Sequence, residues 1–443
     1  MTGSLDSAPV PGGADPCGGL RWPGRPPTSP GATTADDLRR IIRRIEDKRR
    51  GLAPPVRRRA SVEELVGGEV EDTGHGGVLV VRRRFPLGHR HGAQLLAAAR
   101  AVPREALALL ARAADAPADA SRLLYLDTET TGLAGGTGTY AFLVGLGFFD
   151  GDVFEVRQYF MRDLDEEPAL LTALEAVIER FDGIVTYNGT GFDLPLLETR
   201  FVLARRRWRG ETAHLDLLRP ARRIWSTRLP DCRLGTVEER VLAVARDNDL
   251  PGALIPSVYF DYLRRKDPVQ LPRVFEHNRQ DILSLVALAG WVGGALGQGL
   301  APGSPCGRAD LHPEEIVGLG RLWEDADAER SGACYRMALD AGLTSPGRER
   351  VLSRLARREK RRARWSEARA LWEQAARAAS GFDPVPWIEM AKIDEHRRRD
   401  LDTARSVVQE ALAFAHLHRA PPGVIAGLGH RLDRVSRRLA GTP

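Results

Sequence analysis

A continuous apolar run that ends in two carboxylates constrains the fold of this chain more than any other feature. Residues 123–126 read LLYL, and Asp127 and Glu129 follow at once in DTET. Such a run is typical of a strand that is buried on both faces. Side chains alternate along a strand, so the two acids point to the same face. Because burying an unpaired charge is costly, this pair needs a cation, a proton or water.

Two further acids lie in comparable settings. Asp193 follows a predicted strand in IVTYNGTGFDLPLL, and Asp281 lies in FEHNRQDILSLVAL, whose apolar stripe predicts a long helix. Taken singly, Asp193 could cap the helix that follows it, and Asp281 could be a surface residue. Hard divalent cations take oxygen ligands from such carboxylates, so the four acids together indicate a metal-dependent enzyme.

The order of the predicted elements indicates a mixed sheet. Three strands, of which the last two are joined at Asp150-Gly151, precede a helix, a strand, a second helix and a short strand at HLDLL. This β-β-β-α-β-α-β order describes a sheet that is flanked by helices and begins with an antiparallel meander. Before it, a strand is expected from Gly76 and two helices broken at Pro103. Residues 219–272 read as loops and short helices.

The length of 443 residues predicts two or three domains. Residues 1–33, rich in Pro, Gly and Ala, are expected to be disordered. Residues 34–120 are interpreted as a helical and strand extension, with a first helix from Thr34 to about residue 50. The α/β domain is expected at 121–300, and an all-α domain at 310–443.

The all-α domain has an internal repeat. Ala338, Ala375 and Ala411 recur 37 and then 36 residues apart in self-similar segments. Small residues at that interval favour stacked helix pairs of the tetratricopeptide type. An ordinary helical bundle is the alternative.

Charge and composition bear on partners and compartment. The net charge of +6 favours polyanionic partners such as nucleic acid.

The four cysteines form no CxxC pair and are expected as reduced thiols. No uninterrupted apolar stretch approaches the length of a bilayer span and the N-terminus lacks a secretory pattern, so a cytoplasmic protein without a membrane partner is expected. His75, His89 and His91 show no metal-site spacing and are expected in surface or loop positions.

The acidic motifs resemble those of the DEDD exonuclease superfamily, a ribonuclease H-like group. Its first motif is Asp-x-Glu on the first strand, often followed by Thr-Gly, as in DTETTG at Asp127 and Glu129. The second is an Asp that opens a helix, as in YNGTGFD at Asp193, and the third is an Asp one turn after His or Tyr, as in HNRQD at Asp281. Within that superfamily the chain is similar to YprB-type proteins, in which a ribonuclease H-like domain precedes tetratricopeptide-like helical repeats. The resemblance covers about residues 60–420.

This resemblance implies metal-dependent hydrolysis of phosphodiester bonds in DNA or RNA, as a 3′–5′ exonuclease that favours a single-stranded 3′ end. Asp127 would bridge two Mg²⁺ ions, and Glu129, Asp193 and Asp281 would complete the ligands, with Mn²⁺ as a substitute. His277 would be the general base. Three residues separate it from Asp281, where His-type relatives usually have four and Tyr-type relatives three. His277 is therefore alternatively a residue that orients the water.

Two other functions agree with the sequence. The protein could be a nucleic-acid-binding scaffold or adaptor whose helical repeats bind a protein partner. It could also be a structure-specific endonuclease, since the same metal pair cuts internally where the groove is open. Asp216, in HLDLL, is expected close to the metal centre without being a ligand. The basic run at 205–209 is interpreted as a phosphate site or, slightly better, as a solvated helix end.

Overall fold

A computed structural model describes residues 39–40, 60–111, 117, 119–132, 137–208, 213–246, 249–297 and 311–441. The tail expected to be disordered at 1–33 lies outside the described residues, as does almost all of the helix expected at 34–50.

The described strands are β1 (Glu69–Asp72), β2 (Gly77–Pro86), β3 (Arg90–His91), β4 (Gln94–Leu95), β5 (Leu123–Thr130), β6 (Ala141–Asp150), β7 (Val153–Phe160), β8 (Gly183–Thr186) and β9 (Ala213–Asp216). Seven of them form one mixed sheet in the order β1-β2-β7-β6-β5-β8-β9, and β3 and β4 form a separate two-stranded pair. Strands β5, β6 and β7 form the predicted antiparallel meander, while β8 and β9 continue in parallel from β5. The predicted mixed sheet is thus confirmed. The segment interpreted as an extension adds β1 and β2 to the same sheet.

Helices flank this sheet. They are α1 (Val62–Val66), α2 (Ala97–Arg100), α3 (Arg104–Ala111), α4 (Glu167–Ile178), α5 (Asp193–Leu203), α6 (Leu218–Trp225), α7 (Leu234–Val237), α8 (Ile255–Arg265) and α9 (Leu271–Gly297). A π-helical turn, Glu238–Leu242, continues α7. Two cores result, one on each face of β5: Leu124 and Leu126 pack into one and Leu123 and Tyr125 into the other, as expected of a strand buried on both faces.

Helix α9 is the core helix of the domain. It crosses β5 and β6, and its close approach depends on glycine, because a Cβ at Gly145 on β6 would stand 2.3 Å from Asn278 Oδ1. By length and composition alone α9 could cross a membrane, but 72% of its apolar window is buried inside the protein. Its apolar surface is therefore used in the core.

The C-terminal region is all helical, as predicted. Its helices are α10 (Pro313–Trp323), α11 (Ala328–Asp340), α12 (Gly347–Arg361), α13 (Trp365–Ala378), α14 (Pro384–Ile393), α15 (Leu401–Leu417) and α16 (Pro422–Ala440). Each helix packs against the next along the chain. Ala338, Ala375 and Ala411 are fully buried between them. The recurring alanines thus mark the places where helices approach one another.

The helical region is anchored on α6. Gly318 of α10 meets the backbone of α6 so closely that a Cβ there would stand 2.3 Å from the Cα of Ile224. Beside this crossing the Nε1–H of Trp225 donates to Glu315 Oε1 at 3.0 Å, and Arg228 contacts the same carboxylate. Because α6 follows β9 directly, the helical region is tied to the strand that ends at Asp216.

The expectation for one histidine was wrong. His91, expected in a surface or loop position, is 5% exposed, and its Nε2 lies 2.8 Å from Ser284 Oγ on α9. The β3–β4 pair folds inward because Gly92, at φ +58°, takes a left-handed conformation beside Leu242. The N–H of Ala93 then donates to the carbonyl of Leu242 at 2.7 Å.

Candidate acidic active site

Strand β5 delivers the first two acids. Asp127 and Glu129 lie near its carboxyl end, on the face that α9 crosses, and the side chain of Glu129 is 11% exposed. Asn278 Nδ2 donates to Asp127 Oδ2 at 2.8 Å. Its amide is oriented by Gln158, whose Nε2 donates to Asn278 Oδ1 at 2.9 Å. The Asp127 carboxylate is therefore positioned by two buried amide side chains.

Asp193 is the first residue of α5 and faces β5. Thr128 Oγ1 donates to its Oδ1 at 2.6 Å. The loop that leads into α5 turns at Asn188, whose φ of 68° lies in the left-handed region that asparagine tolerates better than most residues. Asp193 thus points back to the strand that carries Asp127 and Glu129, and it does not cap the helix with its side chain.

Asp216 holds this loop in place. Its carboxylate accepts from the N–H of Asn188 at 2.8 Å, from the hydroxyl of Thr190 at 2.7 Å and from the N–H of Leu218 at 3.1 Å. Burial alone would raise the pKa of Asp216, but the bond from Thr190 and those from backbone amides lower it below its ordinary value. Both oxygens are engaged by the loop, so Asp216 supports the site from behind.

Helix α9 brings Asp281 and His277 to the same place. His277 Nε2 lies 3.7 Å from Asp281 Oδ2 and 4.0 Å from Glu129 Oε1. His277 Nδ1 lies 2.9 and 3.0 Å from the two carboxylate oxygens of Asp249. Those oxygens only accept, so the tautomer that satisfies them carries its proton on Nδ1 and leaves Nε2 as an acceptor on the side of the acids.

Arg246 completes the surroundings. Its guanidinium donates to both oxygens of Glu238 at 2.7 and 2.5 Å, to Asp249 Oδ2 at 3.2 Å and to Asp281 Oδ1. The Arg246 side chain is 15% exposed and that of Glu238 is 1% exposed. One cation therefore joins the loop after α7 to the acid carried by α9.

Asp127, Glu129, Asp193 and Asp281 are called the acid centre below, and burial among like charges raises pKa values within it. Burial raises the pKa of Asp127 well above its ordinary range, and Asp281 and Asp193 raise it further. Burial and then Asp127 have the same effect on the pKa of Glu129. Burial, opposed by the bond from Thr128, raises the pKa of Asp193 to about 6. Desolvated carboxylates that repel one another are stabilised by a positive charge.

The donor chemistry of the acid centre fits a hard divalent cation, which prefers carboxylate oxygens. Asp127 is held by Asn278, Asp193 by Thr128 and Asp281 by Arg246. Within the part of the chain that the structure describes, no three His, Cys, Asp or Glu side chains have the arrangement of a ready-made metal site. The acids thus supply suitable ligands, while hydrogen bonds within the protein hold them in their present places.

The structure brings all five sequence-predicted site residues together: Asp127, Glu129, Asp193, Asp281 and His277. Sequence reasoning missed Asn278, Arg246 and Asp249. Asn278 adjoins His277 in HNRQD and could have been noticed there, whereas Arg246 and Asp249 lie in a loop without periodicity. The basic run is described only as far as residue 208, where it follows helix α5. Its contacts there are structural, because Arg206 pairs with Glu175 at 2.7 Å and Trp208 packs on Phe201.

The sheet and its acid centre define a ribonuclease H-like, nuclease-type domain. A sequence-family model described as the RNase_H superfamily matches residues 124–293, which include every residue of the acid centre. A search of solved structures finds the family B DNA polymerase of the hyperthermophilic archaeon Pyrobaculum calidifontis. That match has a TM-score of 0.33 and 19% identity, and covers 50% of this chain and 29% of the polymerase. A likeness this weak supports no conclusion about function.

A closer relative specifies the family. The chain is 31% identical to the uncharacterized protein YprB of Bacillus subtilis (strain 168) over 301 residues. The match covers 67% of this chain and 70% of that protein. The chain therefore belongs to the YprB family of ribonuclease H-like proteins.

Proposed function

We propose that this protein is a metal-dependent nuclease that hydrolyses phosphodiester bonds of DNA or RNA, working 3′ to 5′ from a single-stranded end. The observation that carries the proposal is the convergence of the acid centre on one end of β5 in a domain of the RNase_H superfamily. The net charge of +6 adds a general attraction for a polyanionic substrate.

The acid centre would hold two Mg²⁺ ions, with Mn²⁺ as a substitute, in a DEDD-type arrangement. The chemistry that bound ions supply is activation of a water and stabilisation of charge on the leaving 3′ oxygen. His277 would accept the proton of that water at Nε2, because Asp249 keeps the proton of the ring on Nδ1. This tautomer favours a general base over a residue that only orients the water.

Cleavage from an end is favoured by the loop beside His277. A Cβ at Gly252 would stand 3.9 Å from His277 Nε2, so the chain at Gly252 covers one side of the acid centre. Arg246 and Asp249 belong to the same segment. A centre covered in this way accommodates a strand end more easily than an uninterrupted duplex, which an endonuclease would have to admit.

The test is cleavage of end-labelled single- and double-stranded DNA and RNA in Mg²⁺ or Mn²⁺. Asp127→Asn should abolish cleavage while the protein stays folded, because the change removes a charged ligand at the centre. Asp182→Asn is the matched control: Asp182 forms an exposed pair with Arg122 at 2.7 Å, so the same chemical change should leave the rate unaltered. A wild-type protein that degrades none of these substrates contradicts the proposal.

A second candidate function is protein binding by the helical region, with the ribonuclease H-like domain serving only to bind nucleic acid. The stack of consecutive helices around Ala338, Ala375 and Ala411 favours it, since tetratricopeptide-like arrays present extended surfaces to partners. A partner whose capture requires residues 311–443 and is indifferent to Asp127→Asn would support this function. Capture that is lost with Asp127→Asn would argue against it.

A further inference from the structure

Arg246 makes more contacts with carboxylates than an ordinary structural ion pair requires. Three acids share its guanidinium: Glu238, Asp249 and Asp281. Glu238 takes two of the bonds and is almost fully buried, so it fixes the position of the guanidinium. The contact with Asp281 differs from the other two, because Asp281 is a proposed metal ligand.

The field of Arg246 extends beyond Asp281. Its guanidinium donates to Asp281, which lies in the same cluster as Asp127 and Glu129, so its positive charge acts on the whole acid centre. A guanidinium stays protonated under all ordinary conditions, so this positive charge does not depend on pH. Arg246 therefore supplies a positive charge that the crowded acids need when no ion is bound.

We propose that Arg246 is the built-in counter-cation of the acid centre, and that Asp281 exchanges between the Arg246 guanidinium and a metal ion. This inference rests on the proposed function, since it takes Asp281 as a metal ligand. Binding of the ion breaks the bond from Arg246 Nη2 to Asp281 Oδ1, while the bonds to Glu238 and Asp249 remain. The guanidinium stays beside the acid centre after the exchange.

The exchange has a cost that the metal ion must meet. A charge-assisted bond in a desolvated site is stronger than a neutral one, and breaking it opposes ion binding. The acid centre should thus bind divalent ions more weakly than the same four carboxylates would without Arg246. The same bond keeps Asp281 paired in the metal-free protein.

Calorimetric titration of Mn²⁺ into the full-length protein tests the exchange without reference to activity. Arg246→Gln should bind Mn²⁺ about tenfold more tightly than the wild type, because no ion pair must be broken. Arg246→Lys separates contact from overall charge, since a lysine keeps the charge but cannot hold three carboxylates in a fork. It should also bind more tightly, by about threefold.

Arg369→Gln is the matched control for this titration. Arg369 is 19% exposed and donates at 2.9 Å to the buried Asp394 in the helical region, far along the chain from the acid centre. Its loss should leave Mn²⁺ affinity unchanged. Crystals grown with and without Mn²⁺ add a direct readout, with the Arg246–Asp281 bond present only in the absence of the ion.

The possible outcomes distinguish this inference from the proposed function. Tighter binding by Arg246→Lys supports the exchange, even if Arg246→Gln does not fold. Arg246→Lys that binds like the wild type overturns the exchange, because the effect of Arg246 is then one of overall charge. A wild type that binds Mn²⁺ but cleaves no nucleic acid rejects only the nuclease, and one that binds no Mn²⁺ rejects both.

Discussion

At the scale of single residues, the acid centre shows how short-range contacts position costly charges. A side-chain donor from the protein holds each of Asp127, Asp193 and Asp281, namely Asn278, Thr128 and Arg246. The donors belong to different elements, so the geometry of the site depends on tertiary packing. These contacts hold the carboxylates close together at a cost in repulsion that bound cations would relieve.

His91 leads to a prediction about pH. Burial lowers its pKa from 6.5 to about 4, so the folded protein holds fewer protons on His91 than the unfolded chain between these values. The free energy of unfolding therefore rises with pH in this window. As the pH falls from about 7.5 to about 5, His91 lowers the free energy of unfolding by about 2 kcal/mol. His91→Gln should remove that part of the pH dependence.

Urea unfolding of the wild type and His91→Gln at the two pH values measures the effect. The other acids and bases titrate equally in both proteins, so the difference between their slopes isolates His91. Equal slopes would show that His91 is not kept neutral by burial.

At the scale of elements, the close contact of α9 with β6 sets the distance between Asp281 and the strand acids. Gly145→Ala would place a Cβ 2.3 Å from Asn278 Oδ1 and force α9 away from Asp127. We expect a loss of about 1–3 kcal/mol in the free energy of unfolding, and a lower cleavage rate. Gly294→Ala on the same helix is the control, because its Cβ would meet nothing within 4 Å. Equal stability of the two variants would contradict this account of the contact.

The elements of the domain were largely predictable, because each has its own local pattern. β5 is a continuous apolar run, β6 and β7 are joined at Gly151 with φ +57°, and α4 buries an apolar stripe. The pairing of β2 with β7 was not predictable, since a pairing between segments that are distant in the chain leaves no periodic signal. The same reason hid Arg246 and Asp249, whose role depends on contacts with α9.

At the scale of the whole molecule, α6 connects the helical region to the acid centre. It follows Asp216, which holds the loop before Asp193, and it carries the close contact with Gly318. Gly318→Ala should push α10 away from α6 and lower the free energy of unfolding by about 1–3 kcal/mol. Hydrogen exchange should then rise in α6. Gly427→Ala is the control and should show neither effect, because a Cβ at that position of α16 would meet nothing within 4 Å. Unchanged hydrogen exchange in α6 of Gly318→Ala would contradict the anchoring of the helical region on α6.

We infer that four acids from β5, α5 and α9 form one metal centre. A crystal soaked in Mn²⁺ and measured for anomalous scattering tests it most directly. Anomalous peaks are expected among Asp127, Glu129, Asp193 and Asp281, with carboxylate oxygens at about 2.0–2.2 Å from the ions, close to the Mg²⁺ distance. Peaks elsewhere, or Glu129 or Asp281 turned away from every ion at the centre, would contradict it.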